Sequence, residues 1–288
     1  MKSAEFHSSR QFAAVADGRI SYVERGRGPA ALFLHGLPLC GYQWRGALED
    51  LSAMRRCIAP DLMGLGYSEA AAGRDLSFAA QARMLSEFLD ALEIDAVDLC
   101  GNDTGGGISQ IFAARYPRRV RTLTLTNCEV YDRWPNAMLT GFYKGVASGA
   151  FASGIRSMLE KPERAQVQFG MAFEYPERLT PDLVALYLQP LVASPQRVEQ
   201  LRQFSGWETN RTQLIEIAPE LKTSRIPAQV IWGEDDSLFD QAPSLEWLRS
   251  NLGSLTKITR VPRAKLFFTE EHPRLLSVLL RDFWEAAS

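Results

Sequence analysis

The chain has 288 residues, of which 46% are hydrophobic and 23% charged, and its formal net charge is −2. This composition is typical of a globular protein with a large core, and the balanced charge argues against a basic surface for nucleic acid. The N-terminus has no apolar signal-peptide core, no apolar run reaches the ~18 residues of a membrane span, and the four cysteines have no redox spacing, so we expect a cytoplasmic protein without a membrane partner.

Strand-like and helical patterns alternate along most of the chain. Seven strands are predicted, at residues 19–25, 30–34, 56–59, 97–101, 122–126, 228–232 and 256–261. Helical spacing predicts four helices, at residues 78–92, 107–115, 244–251 and 273–284. Because strands that alternate with helices pair in parallel through right-handed crossovers, we predict an α/β fold with a mostly parallel, doubly wound sheet.

The alternation stops between residues 131 and 226. This segment lacks strand-like runs, is rich in helix formers and aromatic residues, and is too long for a loop. We therefore predict a helical cap lobe at 131–226, inserted into a core domain that consists of 1–130 and 227–288. Small-molecule pockets commonly lie at such a junction. The cap aromatics expected to line the pocket are Trp134, Tyr143, Tyr175, Tyr187 and Trp207.

The stretch LCGNDTGGGIS, residues 99–109, places an acidic residue where a predicted strand meets a predicted helix. Gly101 and Gly105 flank Asp103 at a spacing that leaves room for a sharp turn, which would lift the Asp103 side chain above the sheet. Thr104 offers a backbone N–H at the helix N-terminus, where negative charge is stabilised. An aspartate after a strand is often a helix cap, but the flanking glycines favour a reactive carboxylate.

Two further motifs accompany this turn in the order expected of one known family. LFLHGLP, residues 32–38, ends a predicted strand in His-Gly-x-Pro, and PDLMGLGYS, residues 60–68, follows the next strand. Together with the turn at Asp103, they resemble the α/β-hydrolase superfamily, in particular the aspartate-nucleophile branch of haloalkane dehalogenases and epoxide hydrolases. The resemblance extends from about residue 18 to the end of the chain, and it implies an α/β-hydrolase fold with a helical cap.

The resemblance also implies roles for residues around the turn. Asp103 matches the nucleophile, and the backbone N–H groups of Leu37 and Thr104 match the oxyanion hole. His35 matches a structural, hydrogen-bonded histidine, which we expect beside the substrate pocket.

The acid and the base are harder to assign. Asp236 matches the family's acid after the next-to-last strand, and Asp235 and Glu129 are alternatives that the sequence leaves open. In VPRAKLFFTEEHP, residues 261–273, Leu266 stands where the family has its histidine base. The nearest substitute is His272, which would reach the site only if its loop folded back. Because a positioned base contributes ~10²–10⁴-fold, we expect slow hydrolysis of an ester on the nucleophile.

Positions that recognise the substrate also depart from the family. Haloalkane dehalogenases usually hold the halide with a tryptophan and often an asparagine, at positions where this chain has Thr104 and Leu37. Epoxide hydrolases use cap tyrosines to protonate the opening oxygen, and Tyr143, Tyr175 and Tyr187 are available for that role.

We therefore predict a hydrolase that uses Asp103 as nucleophile on a small, largely apolar substrate. The alternatives are a lyase, isomerase or cyclase with Asp103 as general acid or base, and a binding protein that has lost its base. Dispersed histidines and cysteines predict no metal site, and the absence of a dinucleotide fingerprint after the first strand predicts no cofactor. The sequence leaves a homodimer open.

Overall fold

The computed structural model describes residues 1–287, and nine strands lie within them. Their bounds are β1 Gln11–Val15, β2 Gly18–Arg25, β3 Ala30–Leu34, β4 Arg56–Pro60, β5 Glu69–Ala70, β6 Val97–Asn102, β7 Val120–Thr126, β8 Ala228–Gly233 and β9 Leu255–Val261. They form one sheet in the order β1-β2-β4-β3-β6-β7-β8-β9, with β5 paired to β2. Strands β4, β3, β6, β7, β8 and β9 pair in parallel, in this order across the sheet. Strand β2 pairs antiparallel with β1, β4 and β5.

Helices surround this sheet. Their bounds are α1 Ser3–Ser8, α2 Arg45–Leu51, α3 Phe78–Ala91, α4 Thr104–Arg115, α5 Ala137–Ala147, α6 Ala150–Glu160, α7 Glu163–Phe169, α8 Pro181–Leu188, α9 Pro195–Phe204, α10 Trp207–Glu216, α11 Ala218–Thr223, α12 Gln241–Asn251, α13 Phe268–Glu271 and α14 Pro273–Ala286. Every residue of β3, β6 and β8 is buried, as in parallel sheets that helices cover on both faces. The predicted α/β fold is confirmed.

All seven predicted strands are present, each within two residues of its predicted bounds. The two strands that the patterns missed are β1, whose residues are mostly exposed, and β5, which has only two residues. Helix α4 begins at Thr104, three residues before its predicted start at residue 107. The run of glycines there hid the first turn, because glycine disfavours a helix when propensity alone is considered.

Between β7 and β8 the described chain contains helices and no strand, from α5 to α11. We call these seven helices the helical insertion. Their buried apolar residues belong to the same continuous core as those of the sheet. The division into a cap at 131–226 and a core at 1–130 and 227–288 stays a prediction. No helix within residues 1–287 combines the length and apolar character that a membrane crossing requires.

Candidate active site

Asp103 occupies the sharp turn between β6 and α4. Its backbone has φ +53° and ψ −131°, a region that non-glycine residues rarely adopt and that costs ~1–3 kcal/mol. Two backbone hydrogen bonds hold the turn: the Asp103 N–H donates to the carbonyl of Asn127 at 2.8 Å, and the Asp103 carbonyl accepts from the N–H of Gly106 at 2.7 Å. The turn predicted from the glycine spacing is present.

Three glycines allow the backbone to pass this close to Asp103. A Cβ atom at Gly101 would lie 2.4 Å from the carbonyl oxygen of Gly105, and a Cβ at Gly105 would lie 2.3 Å from the carbonyl oxygen of Leu34. A Cβ at Gly36 would lie 2.6 Å from both Cβ and Oδ2 of Asp103. A larger residue at any of the three would therefore displace the turn or the loop after β3.

The side chain of Asp103 is buried, and its carboxyl group accepts hydrogen bonds from the backbone N–H groups of Leu37 and Thr104. These are the two donors that the sequence predicts for the oxyanion hole, and Thr104 is also the first residue of α4. The same pair of N–H groups could hold the carbonyl oxygen of an ester formed on Asp103. Their role in catalysis stays a prediction.

Two further carboxyl groups lie close to Asp103. Burial, followed by the charges of Glu129 and Asp236, raises the pKa of Asp103 well above its usual value, and the two N–H donors oppose this shift. Asn127 contacts both Asp103 and Asp236, because its backbone carbonyl accepts from the backbone N–H of Asp103 and its Nδ2 donates to the carboxyl group of Asp236 at 2.8 Å. Asp235 is exposed. The structure therefore brings both Glu129 and Asp236 to Asp103 and leaves Asp235 outside.

The surroundings of Glu129 and Asp236 differ. Asp236 also accepts from the backbone N–H of Leu238 at 2.8 Å, and burial raises the pKa of Asp236 to about 6 against these hydrogen bonds. Glu129 is fully buried, and neither carboxyl oxygen accepts a hydrogen bond from another residue within residues 1–287. Burial raises the pKa of Glu129 to about 8, against a hydrogen bond from the residue's own backbone. A neutral Glu129 at neutral pH follows from this burial.

A cavity of about 380 Å³ opens over Asp103. Asp103 is the one charged residue in the described lining, which contains no lysine, arginine or histidine. From the sheet and its loops the lining includes Leu37, Thr104, Leu238, Leu266 and Phe267. From the helical insertion the lining includes Met138, Leu139, Phe142, Tyr143, Phe151 and Phe169. The site is a predominantly apolar chamber with a carboxyl group among its lining residues.

Leu266 lines this cavity together with Asp103, at the position where the resemblance implies a base. The loop is held by its backbone: the carbonyl of Leu266 accepts from Nδ2 of Asn102 at 3.0 Å, and the N–H of Phe267 donates to the carbonyl of Ala172 at 3.0 Å. Because these contacts do not involve the Leu266 side chain, the loop keeps its place with a leucine there.

His272 does not lie in the cavity with Asp103. Its Nε2 lies 2.7 Å from Oε2 of Glu174, and its ring packs against Tyr175. It is not part of the cavity lining, and Pro273 begins α14 directly after it. The prediction that His272 reaches the site is wrong.

His35 does not line the cavity either, and its placement beside the pocket is wrong. It is fully buried, its Nε2 accepts from the backbone N–H of Leu62 at 2.9 Å, and its Nδ1 lies 3.0 Å from the carbonyl of Gly36. Both ring nitrogens are used in holding the loop after β3, which is the structural role that the resemblance implies.

Of the five predicted aromatic lining residues, Tyr143 is in the lining and the other four are not. Trp134 stacks on Phe78, behind Tyr143. The hydroxyl of Tyr187 donates to Glu270 at 2.6 Å. Tyr175 packs on His272, and Trp207 begins α10.

Sequence reasoning missed most of the cavity wall. Phe142 and Phe151 come from α5 and α6, Phe169 ends α7, and Phe267 follows the position of the base. A signal for part of this wall was present, because Met138 and Phe142 stand four residues apart, as do Leu139 and Tyr143, and therefore share one face of α5.

Comparisons with known proteins agree with this architecture. A family model described as the alpha/beta hydrolase fold matches residues 29–260. Haloalkane dehalogenase 2 of Mycobacterium bovis is 29% identical, over 98% of this chain and 95% of its own length. The solved haloalkane dehalogenase DbeA of Bradyrhizobium elkani superposes with a TM-score of 0.77 at 23% identity, covering 97% of this chain and 99% of that chain. The epoxide hydrolase CorEH superposes with a TM-score of 0.79 at 22% identity, covering 97% and 99%. The chain belongs to the α/β-hydrolase fold family, and it is an enzyme that resembles the haloalkane dehalogenases and epoxide hydrolases.

Proposed function

We propose that this enzyme uses Asp103 as the nucleophile against a small, largely apolar electrophile, and that an epoxide fits the site best. One observation carries the proposal: the carboxyl group of Asp103, held in a strained turn by two N–H donors, is the one charged group in the described lining of an apolar cavity. A carboxylate in such surroundings is poorly solvated by water and is available to attack carbon.

Opening of an epoxide releases no leaving group, because the ring oxygen stays in the product. A carboxylate oxygen of Asp103 attacks a ring carbon, the carbon–oxygen bond breaks, and the ring oxygen takes up a proton. Tyr143 lines the cavity, and burial raises the pKa of its phenol well above the usual value, so the phenol keeps its proton for donation. The product is a hydroxyalkyl ester of Asp103.

An alkyl halide fits the site less well. Its leaving group departs as an anion, and the side chains of Leu37 and Thr104 present no N–H donor to hold one. The charge of Asp236 further disfavours a second anion close to Asp103. The hydroxyl of Thr104 has no hydrogen-bond partner within residues 1–287 and can donate to the oxygen of an opening epoxide.

Hydrolysis has two steps, formation of the ester on Asp103 and its cleavage by water, and we expect the cleavage to be slow. Cleavage of the ester needs a water molecule activated by a base, and Leu266 stands where that base is expected. Loss of a positioned base costs ~10²–10⁴-fold in rate. The ester on Asp103 therefore accumulates, and its hydrolysis limits turnover.

The test is the intact mass of the chain after incubation with 1,2-epoxyhexane or with 1-bromohexane. The epoxide should add its whole mass to one site, which peptide mapping should locate at Asp103, and Asp103→Asn should stay unlabelled. Tyr143→Phe should slow labelling by the epoxide by about tenfold or more and leave labelling by the bromide unchanged. An unlabelled wild-type chain, or equal labelling of the Asp103→Asn variant, would refute the proposal.

A second candidate function follows from the raised pKa of Asp103. A neutral carboxylic acid in an apolar cavity can donate a proton to its substrate and take one back, as a lyase or an isomerase requires. In that case turnover depends on Asp103 while no covalent adduct appears at any time. Trapping by acid quench, followed by intact-mass measurement, separates the two candidates.

A further inference from the structure

Asp103 lines the cavity, Glu129 and Asp236 lie close to it outside the described lining, and no positive charge balances these three carboxyl groups. None of Asp103, Glu129 and Asp236 forms an ion pair with a basic side chain in the part of the chain that the structure describes. Leu266 is apolar where the resemblance implies a histidine. Because an unpaired buried charge is costly, these carboxyl groups either hold protons, as Glu129 does at neutral pH, or are stabilised by a cation from outside.

One buried polar side chain of the cavity lining is unpartnered. Thr104 is 2% exposed and lines the cavity beside Asp103, and its hydroxyl oxygen has no hydrogen-bond partner within residues 1–287. Native proteins rarely leave such a group unsatisfied, so this hydroxyl indicates that a ligand completes the site.

The wall of the cavity suits a cation. Phe142, Tyr143, Phe151, Phe169 and Phe267 line it, and no basic residue of the described lining would repel a positive ligand. The faces of aromatic rings attract cations, and rings around a carboxylate are a known way to recognise quaternary ammonium groups. The volume of about 380 Å³ admits a small organic molecule.

We propose that the cavity over Asp103 binds a small organic cation of the alkylammonium class, between the aromatic wall and the carboxylate. The inference goes beyond the proposed function and does not rest on it, because it concerns the charge of the ligand and not the reaction of Asp103.

Binding of a cation is coupled to the release of protons. The titratable groups around Asp103 are Glu129, Asp236, Tyr143 and Cys128. The phenol and the thiol have strongly raised pKa values and stay neutral, so the carboxyl groups are the ones that lose protons when a cation enters. The affinity for a cation therefore rises with pH, whereas the affinity for a neutral ligand of the same shape does not.

The experiment compares choline with 3,3-dimethylbutan-1-ol, which replaces the charged nitrogen by carbon and keeps the shape. Isothermal titration calorimetry of the full chain near pH 8 should give tighter binding of choline by about tenfold or more. The binding enthalpy of choline should change with the ionisation enthalpy of the buffer, which reports proton release. At about pH 5 the preference for choline should shrink.

Two variants locate the effect. Asp103→Asn should remove the preference for choline, and Glu208→Gln, an exposed carboxyl on α10, should keep it. Equal affinities for the two probes, tighter binding of the alcohol, or no binding of either probe at millimolar concentration would each overturn the proposal. Labelling by the uncharged 1,2-epoxyhexane is independent of this result, so the proposed function and this inference can fail separately.

Discussion

Replacing Leu266 by histidine tests whether the ester on Asp103 persists because a base is missing. Leu266 is 3% exposed and shares the cavity with Asp103. Backbone hydrogen bonds hold its loop, so Leu266→His should place an imidazole in the same space without moving the chain. The carboxyl groups of Glu129 and Asp236 lie close to Asp103 and can accept a proton from the second ring nitrogen, which would orient the first toward water.

The expected gain follows from what a positioned base contributes. An increase of ~10²–10⁴-fold in ester hydrolysis corresponds to about 3–5 kcal/mol removed from the barrier. The gain should grow with pH, because neighbouring carboxylates favour the charged imidazolium and only the neutral ring is a base. Exchanging a buried apolar side chain for a polar one should lower the free energy of unfolding by about 1–3 kcal/mol.

The assay is a single-turnover experiment. The chain is labelled with 1,2-epoxyhexane, excess reagent is removed, and the loss of adduct mass and the appearance of diol are followed in time. Leu266→Gln is the matched control, because it admits water and has similar size but is not a base. If the two variants lose the adduct at the same rate, or if the wild-type adduct already decays within seconds, the reasoning about the missing base is refuted.

Two further predictions concern stability. The pKa of Glu129 is raised from 4.5 to about 8 by burial. Between these pH values the folded chain keeps a proton that the unfolded chain loses. Each increase of one pH unit in this range therefore lowers the free energy of unfolding by about 1.4 kcal/mol. Urea unfolding of Glu129→Gln between pH 5 and pH 8 should therefore show a shallower decline than the wild type, and an identical slope would contradict the burial argument. Gly105→Ala should lower the free energy of unfolding by about 1–3 kcal/mol and abolish labelling of Asp103, because the added Cβ would lie 2.3 Å from a backbone oxygen at the end of β3. Gly145→Ala, which meets no atom within 4 Å on helix α5, is its control and should be neutral or stabilising.

The features that could be predicted from the sequence are those that local chain geometry determines. Gly101 and Gly105 lie on either side of Asp103, at the end of β6 and the start of α4. A Cβ atom at Gly101 would meet the nearby Gly105, and a Cβ atom at Gly105 would meet Leu34 on the neighbouring strand β3. The alternation of strands and helices likewise limits the sheet to few topologies, because crossovers between parallel strands have one hand. The fold, the turn and the two backbone N–H groups beside Asp103 could therefore be predicted from pattern and resemblance, whereas the role of these N–H groups as an oxyanion hole stays a prediction.

The cavity wall was not accessible in this way, because it depends on contacts between distant segments. Tyr187 does not line the cavity, and its hydroxyl donates to Glu270, which is 83 residues further along the chain. His272 is held by Glu174, 98 residues before it. Neither partner has a sequence signal that would identify it, and the orientation of each inserted helix decides which of its aromatic residues faces the cavity.

In the proposed reaction, two separate properties of the site slow the hydrolysis of an ester on Asp103. Leu266 provides no base for the attacking water. The charge of Asp236 acts in the same direction, because the tetrahedral intermediate carries negative charge close to it, and the two N–H donors must stabilise that charge. Attack on the substrate differs, since it converts the Asp103 anion, which burial and the acidic neighbours disfavour, into a neutral ester. In the proposed reaction we therefore expect formation of the covalent intermediate to be favoured over its hydrolysis.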